Sequence, residues 1–216
     1  MKIDLLCSSD DHPINPWLAT WASEREAEHT VRILRHTTEL EGGDILFLIS
    51  CTELVQPDLR GLYRHCVVLH ASDLPKGRGW SPHIWALLDG ASAITVCAIN
   101  AEDRVDTGDI WAKRSFEVAR DALHNEINTA LFETEIALLD DVIGMISAGL
   151  APYAQPEELA SYYPRRTPQD SELDPNLSIA DQFDKIRLSD PNRYPAFFRL
   201  HGSVFSVRLR KIENDV

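Results

Sequence analysis

The chain has 216 residues, enough for one good-sized domain, or one domain with a small appendage, that buries a full core without covalent staples. It is 44% apolar and 25% charged, as expected of a soluble globular protein, and its net charge is −13. That acidity works against a basic phosphate-binding face, so nucleic acid is not an expected partner.

The opening KIDLLCS reads as a strand, followed by the polar loop SSDDHPINP. Asn15-Pro16 starts a helix, since proline is tolerated at the first helical position, and Leu18, Trp21 and Ala22 give it an apolar face. TVRILR reads as a short second strand. DILFLIS, from Asp44 to Ser50, is a continuous apolar run that fits a strand buried on both faces, as in a parallel sheet under helices. CVVLH and AITVCAI are two more such runs, and SPHIWALLDG between them reads as a helix closed by Gly90. This alternation predicts an α/β fold with a mostly parallel, Rossmann-like sheet flanked by helices.

GDIWAKRSFEV is an expected edge strand leading into the longest helix, about Ala122 to Ile146. There Leu123, Ile127, Leu131, Leu138, Val142 and Met145 keep the helical spacing of three and four. Residues 151–177 hold five prolines and little periodicity, and read as a long loop wrapping a surface or as a linker. SIADQFDKIRL is a short helix with Ser178 and Asp181 as a capping pair, and AFFRLHGSVFSVRLRKI is a β-hairpin turning at His201-Gly202. The expected organisation is a main domain over 1–150, an extended connection over 151–177, and a small helix-and-hairpin appendage over 178–216.

Cys7, Cys51, Cys66 and Cys97 lie in or beside apolar runs, none in CxxC spacing, and read as reduced structural thiols; no metal site is expected. No signal peptide or membrane-length apolar run is seen, so a cytoplasmic protein without a membrane partner is expected.

His70 ends an apolar strand, and ligands of parallel α/β sheets bind beyond the carboxyl ends of strands. The loop after it, ASDLPKGRGWSP, is rich in turn residues. A second polar loop, NAEDRVDTGDI, is expected on the same side of the sheet and carries Asp106 in a tight DTGD turn. An aspartate from one loop can orient a histidine from the other and favour its charged form. Gly77 and Gly79 permit close backbone approach, and Lys76 and Arg78 either face solvent or offer charge to a phosphorylated substrate.

LHASDLPKGRGWSPHIWALLDG followed by VDTGDI resembles the formyltransferases that use 10-formyltetrahydrofolate. The resemblance covers roughly residues 1–150, and YYPRRTPQDSELD with FDKIRLSDPNRYPAFF is similar to the C-terminal segment of the bacterial members that formylate sugar nucleotides. It implies the formyltransferase fold, 10-formyltetrahydrofolate as co-substrate, and a nucleotide-linked amino deoxysugar as acceptor, in surface-polysaccharide or nonulosonate biosynthesis. It implies His70 and Asp106 as catalytic residues that move protons or meet the oxyanion as the amine attacks the formyl carbon. The family has an asparagine donor two residues before the histidine, where this chain has Val68, and Asn100 is the leading candidate to replace it. The folate is expected at Cys51, Thr52, Glu53, Leu54 and the loop up to Val105. The acceptor is expected at Lys76, Gly77, Arg78 and Trp80, with Tyr194 stacking on the base or belonging to a hydrophobic plug that docks the tail. The alternatives are methionyl-tRNA formylation, disfavoured by the acidic charge and the limited chain beyond the long helix, hydrolysis of the formylfolate, and non-catalytic folate or nucleotide-sugar binding. A homodimer is left open.

Overall fold

The computed structural model describes residues 1–212; the last four residues of the 178–216 appendage lie outside the described residues. In chain order the elements are β1 (Lys2–Leu6), α1 (Asn15–Arg25), β2 (Thr30–Leu34), β3 (Gly43–Leu48), α2 (Pro57–Arg60), β4 (Tyr63–His70), β5 (Arg78–Gly79), α3 (Pro82–Leu88), β6 (Ala93–Asn100), β7 (Ile110–Glu117), α4 (His124–Ser147), β8 (Tyr162–Tyr163), α5 (Phe183–Arg187), β9 (Ala196–Leu200) and β10 (Ser203–Val207). Six strands form one sheet in the order β2-β1-β3-β4-β6-β7.

The pairs β2/β1, β1/β3 and β3/β4 are parallel, as the apolar runs predict, whereas β4/β6 and β6/β7 are antiparallel. The expectation that the loop after β6 shares the carboxyl end of the sheet with His70 is therefore corrected. The loop after β4 and the short α3 stay at that end, and the chain re-enters the sheet from there. A continuous apolar run reports burial on both faces and carries no direction.

The main core lies between one face of the sheet and α1 and α4. Val67 and Leu69 of β4 and Val96 and Ala98 of β6 meet Trp21 of α1 and Leu131, Leu138 and Val142 of α4. Each such side chain contributes about 1.5–3 kcal/mol when buried. α4 starts where Glu126 reaches back to accept from the Leu123 N–H (2.8 Å), satisfying one of the free donors of the first turn. On the opposite face, Leu46, Leu48, Val55 and Tyr63 form a second cluster, and Leu74, Cys97, Ile99 and Ile110 a third. Asp4, wholly buried on that side, is held by Arg32 at 2.6 and 2.8 Å and by the Tyr63 hydroxyl. All four cysteines are free.

Residues 151–177 wrap the surface of the main domain. Tyr153 bridges to Ile110, and β8 pairs in parallel with β5. The short helix near the C-terminus starts at Phe183, later than the sequence suggests, and Ser178 and Asp181 close a separate turn ahead of it (2.6 and 3.1 Å). β9 and β10 form the expected hairpin, with His201 and Gly202 both at positive φ (51° and 78°), as a two-residue turn between twisted strands requires. Among the described residues no helix is long and apolar enough to cross a membrane.

Candidate active site

His70 is the last residue of β4 and is 7% exposed. Strand alternation puts its side chain on the face of Val68 and Cys97, away from α1 and α4. Asp106 comes from the β6–β7 loop. Because β6 runs opposite to β4, that loop leaves the sheet beside Val67, about 10 Å short of His70, and folds back along the sheet. Gly108 permits this: a Cβ there would lie 1.9 Å from the Asn100 carbonyl oxygen. Asp106 itself adopts a left-handed backbone (φ 59°), and Thr107 Oγ1 closes the turn by donating to the Arg104 carbonyl at 2.7 Å.

The result is a buried pair. His70 Nδ1 is 3.4 Å from Asp106 Oδ1, and His70 Nε2 lies 2.9 Å from the Gly77 carbonyl. The Gly79 N–H donates to the other Asp106 oxygen at 2.8 Å. A carbonyl can only accept, so Nε2 carries a proton. A second proton, taken at Nδ1, would face a carboxylate. The pair can therefore store and return a proton.

The loop after His70 is held from outside by residues 155–163. Ser161 Oγ accepts from the Gly77 N–H (2.9 Å), the Ser161 carbonyl accepts from the Arg78 N–H (2.9 Å), and Gln155 donates to the carbonyls of Asp106 and Gly108 (3.0 and 2.7 Å). Gly79 (φ 102°) passes so close beneath this segment that a Cβ would meet the Tyr163 carbonyl at 2.3 Å. The Arg78 side chain is 0% exposed and is gripped by Glu157 (3.0 and 2.8 Å), Gln155 (3.0 Å) and Tyr162 (3.1 Å). This hydrogen-bonded pairing holds the Glu157 carboxyl below its usual range. Arg78 is thus committed to fixing the loop and is not available to a substrate phosphate, contrary to the expectation. Lys76 remains exposed, and Trp80, 43% exposed, has the Arg165 guanidinium 4.8 Å over its ring.

Asn100 is not brought to His70. It pairs with Val67, so its side chain points to the opposite face, where Oδ1 accepts from Trp111 Nε1 at 2.7 Å. It borders an open cleft of about 520 Å³ with Arg60, Arg64, His65 and Trp111. Val68 does share the face of His70 and packs with Leu74, Cys97 and Ile99. The sequence reading missed Ser72, two residues after His70, whose hydroxyl is buried without a partner.

The segments expected to hold folate border one apolar patch on the His70 side, where Cys51, Val55, Val68 and Ala101 cluster. Thr52 is anchored by its N–H donating to Ser8 Oγ (2.8 Å). Glu53 accepts from the Thr37 N–H and hydroxyl (3.0 and 2.8 Å) and meets His36 Nδ1 at 3.1 Å, and these bonds hold its carboxyl below the usual range. Leu54 and Val105 expose apolar surface, 59% and 58%. Tyr194 is 62% exposed beside Arg193 and lies outside the tail cluster of Leu173, Ile186 and Ala196.

The residues of the strap, Gln155, Glu157, Ser161 and Tyr162, escaped the sequence reading because their partners are more than forty positions away and the segment has no period.

Comparison with known proteins places this geometry. The Formyl transferase family model matches residues 12–143. The methionyl-tRNA formyltransferase of Pelotomaculum thermopropionicum is 24% identical over 148 residues, 68% of this chain and 47% of its own length. The chain spans about half the length of the curated relatives it matches. HypX from Aquifex aeolicus in complex with tetrahydrofolic acid superposes with a TM-score of 0.82 at 20% identity, over 97% of this chain and 37% of that one. A sugar N-formyltransferase from a Shewanella species superposes with a TM-score of 0.74 at 14% identity, over 99% of both chains. The family model covers more than half of the sequence, including the His70 loop and the Asp106 turn, and the chain belongs to the formyl transferase family.

Proposed function

We propose that this chain transfers the formyl group of 10-formyltetrahydrofolate to the amino group of a nucleotide-linked amino deoxysugar, in surface-polysaccharide or nonulosonate biosynthesis. The observation that carries the reading is the buried His70–Asp106 pair at the end of β4, inside the family-matched region. The folate supplies an activated formyl group. Its flat ring suits the apolar patch of Cys51, Val55, Val68 and Ala101, and the loops through Leu54 and Val105 flank that patch.

In this mechanism the attacking amine must lose a proton and the departing folate nitrogen must gain one. His70 relays that proton, its ring held in place by Asp106. Val68 donates nothing, so negative charge developing on the formyl oxygen is met by His70 itself and by the Ser72 hydroxyl. The Gly77 carbonyl occupies Nε2, so proton transfer through that nitrogen requires the substrate to take the carbonyl's place. Lys76 and Trp80 edge the acceptor site, and Tyr194 offers an exposed ring for a base.

Methionyl-tRNA formylation is the second reading, favoured by the names of the sequence relatives. The net charge of −13 favours the smaller acceptor. Incubation with 10-formyltetrahydrofolate and either nucleotide-linked amino sugars or methionyl-tRNA, followed by mass spectrometry, separates the two. Formylated sugar nucleotide is the expected product; formylmethionyl-tRNA alone would move the assignment to the second reading.

A further inference from the structure

Four side chains from four elements gather outside the His70–Asp106 pair: His83 feels the charges of His12, His124, Arg166 and His70, and hydrogen bonds from Arg166 to Ser171 (3.2 Å) and from Ser189 to Ser171 (3.5 Å) lead to Asp190, 4.0 Å from His124. His12 comes from the loop after β1, His83 from α3, His124 from the start of α4, and Arg166 from the connection over 151–177. The packing that gathers them is apolar: Ile84 and Leu87 of α3, Ala122 and Ile127 around the start of α4, and Leu188 of the tail form one cluster. His12 packs edge-on to Phe132 of α4 (6.0 Å). His124 Nε2 lies 3.3 Å from the Asn128 amide and 4.0 Å from Asp190.

Two of these groups are left wanting. His83 Nδ1 and Arg166 Nε are buried with no hydrogen-bond partner. Arg166 otherwise donates to Ser171 Oγ at 3.2 Å. A buried polar group without a partner is costly, more so when charged, so a fold that keeps two calls for a ligand that satisfies them.

The electrostatics agree in sign. Burial, then the charges of His124, His70, Arg166 and His12, depress the pKa of His83 to about 3. Burial, then Arg193, depresses that of His12 to about 4, and burial lowers that of His124. Burial also lowers that of Arg166. The acids facing the cluster are otherwise engaged. Asp190 is bound by the Arg193 guanidinium (2.7 Å) and by the N–H groups of Asn192 and Arg193 (2.9 and 3.1 Å), and Asp170 caps Thr167 (2.6 Å). An anion bound among these groups would offset the repulsion and let the imidazoles take up protons.

We propose that His12, His83, His124 and Arg166 form a phosphoryl-binding site that holds the diphosphate of a nucleotide-linked acceptor, placing its amino group at His70. This rests on the acceptor class proposed above, but the site is tested without turnover. Inorganic pyrophosphate is titrated into the full chain, followed by calorimetry and by NMR of the histidine rings. His12, His83 and His124 should shift, binding should take up protons, and affinity should fall as pH rises from 6 to 8. His83→Leu and Arg166→Met should each weaken binding roughly tenfold or more, the loss of one charge-assisted hydrogen bond. Arg166→Lys keeps the charge but loses the fork and should fall between. It serves as the control if Arg166→Met proves unstable by circular dichroism. A nucleoside diphosphate should displace pyrophosphate; displacement by tRNA alone would overturn the nucleotide-linked acceptor. Unmoved histidine rings, or wild-type affinity in folded variants, would overturn the site itself. Pyrophosphate binding at these residues in a protein that formylates no sugar nucleotide would leave the site standing and remove the acceptor reading.

Discussion

Arg78 is wholly and Arg166 partly withdrawn from solvent, and they are treated in opposite ways. Arg78 meets Glu157, Gln155 and Tyr162, so that only its Nε lacks a partner. Arg166 has one weak bond to a serine, and its charge acts on the imidazoles of His83 and His124. The first region uses its charge to fix a loop, with both terminal nitrogens bound within the protein. The second keeps donors unspent at an energetic cost. A charge met by a carboxylate marks structure, and a buried charge that no carboxylate meets marks a place for something else. The sequence shows both arginines as loop charges, and only their partners tell them apart.

The largest effect expected on this contrast is at the pair between the two regions. His70→Ala or Asp106→Asn should lower formyl transfer by roughly 10²–10⁴-fold while the protein still folds, with some loss of thermal stability because each change breaks a buried pair. Near-wild-type turnover in either folded variant would falsify the assignment. Next is Gly108→Ala. Its Cβ overlaps the Asn100 carbonyl, so the loop must move; stability should drop by several kcal/mol in denaturant titrations and activity should vanish with it.

Glu135 gives a pH test. It is buried on α4 with one oxygen unpartnered, and burial pushes its pKa up to about 8 from 4.5. The folded state therefore holds a proton that the unfolded state has lost between those values. Stability should decline as pH rises from about 4.5 to about 8 and then level off, at about 1.4 kcal/mol per pH unit from this group alone. Glu135→Gln should remove that slope and raise the melting temperature most at pH 8. An equal gain at pH 4 and pH 8 would contradict it.

Arg78→Met should cost roughly 1–3 kcal/mol, modest because its partner Glu157 is more than half exposed and regains water. It should also loosen the loop and slow turnover, while leaving pyrophosphate affinity within about twofold, the reverse of Arg166→Met. The smallest effect is expected from Asn100→Ala. With its amide on the far face beside Trp111, turnover should change less than about threefold, against the hundredfold that loss of an oxyanion donor brings.

Much of the fold was legible because it is local. Apolar runs marked β3, β4 and β6, Asn15-Pro16 marked α1, and His201-Gly202 marked the hairpin. The direction of β6 was not, since burial on both faces hides strand polarity, and Asn100 was lost with it. A one-residue difference in register sends a side chain to the other face of a sheet, and no motif records that. His70 and Asp106 were singled out through the resemblance of their flanking motifs, not through spacing alone, and the fold brings them together. The strap and the histidine cluster stayed hidden because their members are scattered from His12 to Arg166 and gathered only by packing.

The central claim is that this chain is a formyl-transfer enzyme working through His70. Its most direct test is single-turnover formyl transfer from 10-formyltetrahydrofolate to a panel of nucleotide-linked amino sugars, read by mass spectrometry for the wild type and His70→Ala side by side. The account predicts a formylated sugar nucleotide with the wild type and essentially none with the folded variant. Equal product from both proteins, or none from the wild type across the panel and with methionyl-tRNA, would contradict it.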